Sequence, residues 1–466
     1  MIISFSLFLL LFIAIGFASS FYKKNSANDY LLASQSIKPW LVGFAAVATN
    51  NSGYMFIGLI GFTFNFGLSS MWLMVGMIMG DFFASLYFHK KFREITQINR
   101  VMSFSSAISN WNGQHHKKVQ IIGGLVTFIF LATYAAAQLT AGGKALFVMF
   151  GWNYNIGIYL GGLIILIYCF SGGIRASIWT NTAQSFVMIL SMGILLYFAI
   201  DKIGGFDDYV YKLSLVSPNY LSIFPIEIAG IGDNKFLFLL FFLGWFLGGV
   251  CVIGQPHIML NFMTMEKPED ISRVRIYYYG WYVVFSILTI ACGLASRILI
   301  DNNINFDSEL AMPNMAKMLL PNVLLGVVLA GLFSATMSTA DSQILSCASA
   351  LTNDIFKRKS YVATKIATLI SASLSIFIAL YANNSVFTLA MFSWSVLASV
   401  FAPLFIIYSF NYKLSQNESL SIMLSGLFAT FVWVAFGLNG LIYESAIGLL
   451  SGLSCFAIIK LFKKNK

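Results

Sequence analysis

The chain has 466 residues, of which 58% are hydrophobic and only 10% are charged. A mean hydropathy of +0.80 excludes a soluble globular domain, which could not bury so much apolar surface, and indicates a polytopic membrane protein. The formal net charge of +10 would suit a nucleic-acid partner, but the basic residues concentrate in the loops of one side. That asymmetry is typical of membrane proteins, so we expect a lipid bilayer and no nucleic acid as partner.

Thirteen apolar segments recur along the chain, each near the roughly 20 residues that a spanning helix needs. The sequence thus predicts an all-α polytopic membrane protein with about 13 transmembrane helices. The first segment lacks a basic flank and a small-residue cleavage site, so we expect a retained helix, not a signal peptide. The predicted spans are 3-20, 38-62, 67-88, 121-149, 154-172, 177-200, 234-258, 273-299, 318-350, 361-382, 386-410, 418-437 and 442-462.

The distribution of basic residues also predicts the orientation. Lys90, Lys91 and Lys357 belong to loops of the same side, which carries most of the lysines and arginines. The positive-inside rule then places the N-terminus outside and the C-terminus in the cytoplasm of a plasma (inner) membrane protein. The sequence contains no Walker glycine loop, so transport driven by ATP within this chain is not expected.

Two predicted helices contain residues that weaken helical continuity. The second has ATNNSG at its middle, and the seventh contains LGGVCVIGQPH. Each opens a set of five helices, and an odd number gives the two sets opposite orientations, which indicates an inverted-repeat secondary transporter. The expected organisation is a peripheral helix and inner loop (1-37), a first repeat (38-200), an outer loop (201-233), a second repeat (234-411) and two peripheral helices (412-466).

The stretch ATNNSGY, from Ala48 to Tyr54, predicts a binding site at the first interruption. Unwound backbone within a bilayer is tolerated where it lines a cavity or is buried in protein. Freed carbonyl oxygens near Ala48 and Asn51 suit a monovalent cation such as sodium. Exposed amides near Ser52 and Gly53, where a half-helix begins, suit a substrate carboxylate.

A second polar run, residues 331-356, lies in the ninth predicted helix. With 3.6 residues per turn, Ser338, Asp341 and Ser342 fall along one face and Thr339 lies beside it. Such a stripe suits an ion site, although serine and threonine hydroxyls also commonly bond neighbouring membrane helices to each other. Asp341 favours the ion site, because an ionisable residue within the membrane is a functional candidate.

Six motifs resemble the sodium/solute symporter family, most closely its sodium/proline symporter branch. The resemblance implies thirteen helices, a ten-helix inverted-repeat core of the leucine-transporter type, and sodium-coupled uptake by alternating access. It covers nearly the whole chain. The motifs are NDYLLASQSIKPW, ATNNSGYMFIGLIGF, TYAAAQLTAGGKALF, SGGIRASIWTNTAQSFVMI, GQPHIMLNFM and SATMSTADSQILSCASALTNDIF.

The resemblance also implies residues for both ligands. For sodium it implies the backbone oxygens of Ala48, Asn51 and Ala335 and the hydroxyls of Ser338 and Thr339. The implied substrate residues are Ser52, Gly53, Tyr54, Tyr134, Gln255 and Pro256.

The chain departs from the proline branch at two positions that could govern ion coupling. Members of that branch carry aspartates where Asn50 and Asn181 stand. Asp341 and Asp81 are the candidates to restore the lost charge, although Asp81 is expected near enough to the inner interface to be solvated. The branch also has aromatic residues shortly before the Gly-Gln-Pro element, whereas this chain has Trp245 about three residues too early, so a ring-stacking wall is expected to be missing or displaced.

The function that these observations favour is sodium-coupled symport of a small organic solute, with proline or a similar amino acid preferred. The alternatives are another solute, such as a monocarboxylate, pantothenate or a sugar acid, coupling to protons, or a membrane sensor that does not transport. An enzyme is not expected, because no intramembrane Ser-His or carboxylate pair has suitable helical spacing. Sodium is the expected coupling ion, and the oligomeric state is left open.

Overall fold

The structure is a computed structural model. It describes residues 1–226, 228, 231–300, 306–358, 360–381, 386–438 and 442–464, without the side chains of 387 and 464. The ends of two predicted segments, residue 382 and residues 465–466, lie outside these ranges, as do residues 227, 229 and 230 of the predicted outer loop.

Regular structure within the described ranges is helical, apart from one isolated bridge between Ile37 and Met265. The α-helices are α1 (Ile2–Ser19), α2 (Ala27–Leu32), α3 (Pro39–Asn50), α4 (Ile60–Phe66), α5 (Met71–Ile98), α6 (Phe104–Ser109), α7 (Lys117–Phe150), α8 (Tyr154–Ile203), α9 (Phe206–Val216), α10 (Lys235–Val250), α11 (Pro256–Met263), α12 (Ile271–Leu299), α13 (Ala311–Leu319), α14 (Asn322–Ser349), α15 (Tyr361–Tyr381), α16 (Val386–Ser409), α17 (Gln416–Ala435) and α18 (Glu444–Lys464).

Eleven helices in the described residues are long and apolar enough to cross a membrane. The predicted spans 154-172 and 177-200 both fall in α8, a 50-residue helix whose backbone leaves helical geometry at Gly173, with φ 59° and ψ −143°. The prediction of a polytopic all-α membrane protein is therefore confirmed, while the count of thirteen spans stays a prediction.

Both predicted interruptions are present. Helix α3 ends at Asn50, Asn51 has φ −94° and ψ 79°, and a π-helical turn at Met55–Leu59 precedes α4. In the second case α10 ends at Val250, a 3₁₀ turn follows, and the extended Gln255 leads into α11. Pro256 suits the first position of α11, where its missing N–H needs no partner.

Helix α14 lies at the centre of the molecule. It packs against α8, α7, α3 and α15, and 89% of its most apolar window is buried. The corresponding windows of α1, α17 and α18 are only 28% buried, so these three helices present most of their surface to lipid. A polar residue on α14 is therefore shielded from both water and lipid.

Asp29 attaches the short helix α2 to the kink of α8. Its carboxylate accepts hydrogen bonds from Lys24 N at 2.6 Å, Ser34 Oγ at 2.7 Å and Arg175 Nη2 at 2.8 Å. Burial acts to raise the pKa of Asp29, but these hydrogen bonds and the Arg175 charge together hold it below its ordinary value. The attachment is therefore present at neutral pH and is lost only as the pH falls through this lowered pKa.

Gly173 generates a prediction about the kink. Its φ is positive, and a Cβ there would lie 2.3 Å from the carbonyl oxygen of Tyr30. We expect Gly173→Ala to lower the free energy of unfolding by about 1–3 kcal/mol through backbone strain alone, and the steric clash would lower it further. The thermal midpoint of the purified protein in detergent should fall by several degrees.

Gly193 of the same helix provides the matched control, because a Cβ there meets no atom within 4 Å. Gly193→Ala should leave the midpoint unchanged or raise it slightly, since alanine favours helix interiors over glycine. Equal midpoints for the two variants would contradict this account of the kink.

Candidate functional site

The end of α3 meets the middle of α14. Ser338 Oγ donates to the carbonyl oxygen of Ala48 at 3.0 Å and lies 3.2 Å from the carbonyl oxygen of Ala335. Thr339 Oγ1 donates to Thr49 O at 2.9 Å. Carbonyls in the last turn of a helix have no partner within that helix, so these hydroxyls satisfy groups that the interruption leaves free.

Four of the five predicted sodium residues thus come together at this contact: Ala48, Ala335, Ser338 and Thr339. The fifth, Asn51, directly follows the last residue of α3. Its N–H and Nδ2 both donate to Val47 O at 2.9 Å, and its buried Oδ1 has no hydrogen-bond partner among the described residues. Backbone and hydroxyl oxygens from two helices therefore converge around one buried place.

The same hydroxyls also join α3 to α14, which was the alternative interpretation of the polar stripe. The two roles are compatible, because a hydroxyl oxygen keeps lone pairs after donating its proton.

A second group of oxygens surrounds Asn181 of α8. The side-chain nitrogen Nδ2 lies 3.0 Å from Ser338 O, 3.2 Å from Asp341 Oδ1 and 3.3 Å from Ser342 Oγ. Ser177 Oγ at 3.2 Å and Thr49 Oγ1 at 3.4 Å complete the group. An amide has only two protons, so it cannot satisfy five acceptors at once. The Ser342 hydroxyl also lies 3.0 Å from Asp341 Oδ1 and 3.0 Å from Thr49 Oγ1, so these oxygens form one connected group around the amide.

Asp341 supplies the carboxyl group of this cluster. It is fully buried on α14, and its second oxygen, Oδ2, forms no hydrogen bond of standard geometry within the described chain. The structure thus places two predicted coupling candidates, Asn181 and Asp341, side by side. The Asp341 carboxylate lies on α14 directly opposite Asn181. Its negative charge would therefore lie close to where a carboxylate at position 181 would place one.

A narrow cavity of about 30 Å³ lies beside the first interruption, with room for only a water molecule or two. A solute would therefore have to displace side chains of the lining. The cavity contains four predicted residues, Asn50, Asn51, Tyr54 and Tyr134. The other lining residues are Met55, Leu73, Met74, Met77, Trp245, Tyr282, Met391 and Trp394.

Ser52 and Gly53 are close to this cavity but are not among its lining residues. Ser52 Oγ accepts from Tyr54 N at 3.2 Å and lies 3.4 Å from Tyr134 OH. Gly53 N donates to Gln138 Oε1 at 2.9 Å, so the amide that we expected for a substrate carboxylate already has a partner. A solute would have to displace Gln138 to reach it.

Gln255 and Pro256 lie behind the cavity wall. Gln255 Nε2 donates to Trp394 O at 2.9 Å, which fixes the backbone of a lining residue. Pro256 lines a separate, smaller cavity with Ser103 and Asp354. Their contribution to the solute site in this conformation is therefore indirect.

Trp245 lines the cavity even though its sequence position is displaced. Its ring stacks on Tyr443, with centroids 4.5 Å apart and an interplanar angle of 11°. Sequence reasoning missed Trp394 and Tyr282, which complete the aromatic lining. The lone tryptophan in FSWSV and the run YYYGWY were the available signals.

Asp81 is fully buried, so the expectation that it is solvated near the interface was wrong. The reason is a close approach of α5 and α10 at glycines. A Cβ on Gly80 would lie 1.9 Å from Phe246 O, and one on Gly249 would lie 2.9 Å from Asp81 N. This contact covers Asp81 with backbone from α10.

Residues 30–426 match the family model described as Sodium:solute symporter family. The chain belongs to the sodium:solute symporter family. It is therefore a multi-pass plasma-membrane protein that couples the movement of a solute to sodium, and it is a transporter, not an enzyme.

Its relatives match over nearly their full length. The sodium/proline symporter of Salmonella typhimurium is 26% identical over 480 residues, which cover 100% of this chain and 93% of the relative. The osmoregulated proline transporter OpuE of Bacillus subtilis is 25% identical over 479 residues, covering 100% of this chain and 95% of the relative.

Solved structures show the fold. A substrate-bound, outward-open Na+-coupled sialic acid symporter gives a TM-score of 0.81 at 16% identity, over 98% of this chain and 97% of that one. MhsT in complex with L-phenylalanine gives a TM-score of 0.59 at 14% identity, over 89% of this chain and 98% of that one. The expected leucine-transporter type of fold is thereby confirmed.

The contact between α3 and α14 generates a prediction for this symporter. Ser338→Ala and Thr339→Ala each remove one candidate oxygen ligand, so we expect the half-saturating sodium concentration for uptake to rise at least fivefold. Maximal rate should change less, because the helices remain packed. The measurement is the initial rate of solute uptake as a function of sodium concentration.

Ser334→Ala is the control, because this buried hydroxyl of α14 donates to Ala330 O in its own helix. It should leave the half-saturating sodium concentration for uptake unchanged. Unchanged sodium curves for both Ser338→Ala and Thr339→Ala would remove these residues from the sodium site.

Proposed function

We propose that this family member transports proline, or an amino acid of similar size, together with sodium by alternating access. The observation that carries the proposal is the cavity beside the interruption of α3. Its lining combines aromatic and methionine side chains with the amides of Asn50 and Asn51. An apolar ring packs against the former, and the two charged groups of a zwitterion hydrogen-bond to the latter.

The same lining distinguishes between solutes. Among the described residues that line the cavity there is no lysine, arginine, aspartate or glutamate. A monocarboxylate, pantothenate or a sugar acid would bring a net negative charge that no basic side chain of the lining balances, which is costly. A zwitterion brings no net charge. The names of the full-length relatives, which include sodium/proline symporters, support the same choice.

The proposed sodium ligands are the backbone oxygens of Ala48, Asn51 and Ala335 and the hydroxyls of Ser338 and Thr339. Asp341, beside Asn181, supplies the coupling charge. The observation behind this assignment is the meeting of these oxygens from α3 and α14 at the hydrogen bonds between Ser338 and Ala48 and between Thr339 and Thr49. At about 100 mV, one inward charge supplies on the order of 2.3 kcal/mol, roughly a fiftyfold accumulation of solute.

The sodium site explains how binding could drive the cycle. Sodium that bridges α3 and α14 fixes these helices relative to each other, and it favours whichever state brings their oxygens together. Only such differential affinity shifts the population of states. The proposed organisation is two five-helix repeats, 38-200 and 234-411, with the N-terminus outside and the C-terminus in the cytoplasm.

The test is uptake of radiolabelled proline into proteoliposomes under an inward sodium gradient, with potassium replacing sodium in the parallel sample. We expect uptake at least tenfold above protein-free liposomes in sodium and close to background in potassium. Excess unlabelled proline should compete, whereas lactate, pantothenate and gluconate should not.

Three results would contradict the proposal. Sodium-independent proline uptake would refute the coupling, and competition by one of the anions with no competition by proline would reassign the solute. Saturable proline binding without uptake or counterflow would favour a sensor that does not transport.

A further inference from the structure

A second acidic residue, Asp81 of α5, has no role in the site described above. Its side chain is fully buried, and no salt bridge of the described residues includes it. Neither carboxylate oxygen forms a hydrogen bond of standard geometry within the described chain. A buried carboxylate without a basic partner is costly, and an ionisable residue within the membrane is a functional candidate.

The groups around Asp81 come from three helices. The hydroxyls of Tyr278 and Tyr279 on α12 face the carboxylate, and Tyr282 lies within electrostatic range. Helix α10 contributes backbone at Gly249. On α5 itself the next ionisable side chains are Tyr87, six residues or about 9 Å along the helix, and His89, eight residues or about 12 Å along it. The surroundings thus provide hydroxyl oxygens and no basic side chain.

Tyr278 connects Asp81 to the solute cavity. Its hydroxyl oxygen accepts from Asn50 Nδ2 at 2.7 Å, which leaves the hydroxyl proton available to Asp81. Asn50 is the last residue of α3 and lines the cavity, as do Met74 and Met77 from the turns of α5 before Asp81. The Tyr278 side chain therefore lies between Asp81 and Asn50, so a change of charge at Asp81 can affect a residue that lines the solute cavity.

We propose that Asp81 and the tyrosine hydroxyls beside it form a second monovalent-cation site, which acts on the solute cavity through Tyr278 and Asn50. The site is distinct from the oxygens of α3 and α14, and it takes either sodium or a proton. With the cation absent, the anionic carboxylate attracts the Tyr278 proton and orients the Tyr278 oxygen towards Asn50. With the cation bound, this attraction weakens and Asn50 is freed for the solute.

The inference rests on the proposed function, namely coupled symport through the α3 and α14 site. Its test therefore uses cation binding without solute. Purified wild-type protein and Asp81→Asn are compared in detergent by saturation binding of 22Na+ at pH 8, and by thermal midpoint from pH 5.5 to 8.5 in choline chloride. Asparagine keeps the shape of the side chain and removes its charge.

Either of two results supports the site. If it takes sodium, Asp81→Asn should bind about half the wild-type amount of 22Na+ at saturation. If it takes a proton, 22Na+ binding should be unchanged, whereas the thermal midpoint should depend on pH less steeply than in the wild type. Unchanged sodium binding together with an unchanged pH profile would overturn the inference.

Tyr278→Phe tests the connection to the cavity and covers the case in which Asp81→Asn does not fold. It removes one hydroxyl of the proposed site and the acceptor of Asn50, so it should weaken cation binding less than Asp81→Asn does while raising the half-saturating proline concentration at least threefold. Ser286→Ala is the packing control. The Ser286 hydroxyl on α12 bonds only to Tyr282 O among the described contacts, so its removal should change neither cation binding nor the half-saturating proline concentration. A normal proline curve for Tyr278→Phe would overturn the connection.

The two proposals fail in different ways. Wild-type protein without sodium-dependent uptake would refute the proposed function whatever Asp81 does. Sodium-dependent uptake that has the same sodium curve, pH profile and proline curve in wild type, Asp81→Asn and Tyr278→Phe would refute the second site alone.

Discussion

The end of a helix inside a bilayer is the constraint on which this structure depends. Carbonyls at the end of α3 have no partners within their own helix, and in hydrocarbon each would cost several kcal/mol if left unpaired. Hydroxyls of Ser338 and Thr339 satisfy them from α14, which is itself shielded by α8, α7 and α15. The interruption is therefore stable only against a central, hydroxyl-rich helix, and the same arrangement makes an oxygen-lined place for a cation.

The proposed sodium site keeps a carboxylate nearby although position 181 holds an amide. The proline branch that the sequence resembles has an aspartate where Asn181 stands, and here Asp341 approaches that position from α14 with Oδ1 3.2 Å from Asn181 Nδ2. A cation between the helices responds to the distance of the negative charge and not to the helix that supplies it. An exchange of amide and carboxylate across the contact can therefore preserve the electrostatics of the site.

Local sequence signals predicted where two helices are interrupted and which polar residues share one face of α14. ATNNSG and GQPH marked both interruptions, and the helical period predicted that Ser338 and Asp341 share one face of α14, where they contact Ala48 and Asn181. Features that depend on contacts between distant segments could not be predicted. Burial of Asp81 depends on glycine contacts between α5 and α10, and the partner of the Gly53 amide, Gln138, comes from α7. No periodicity within one helix carries that information.

The central claim is that Asp341 carries the sodium-coupling charge in place of residue 181. The most direct measurement is 22Na+ binding to Asp341→Asn and to the double variant Asn181→Asp with Asp341→Asn, both in purified form. We predict at least tenfold weaker binding at the α3 and α14 site in the single variant and recovery to within about threefold of wild type in the double variant. Wild-type affinity in the single variant, or no recovery in the double variant, would contradict the claim.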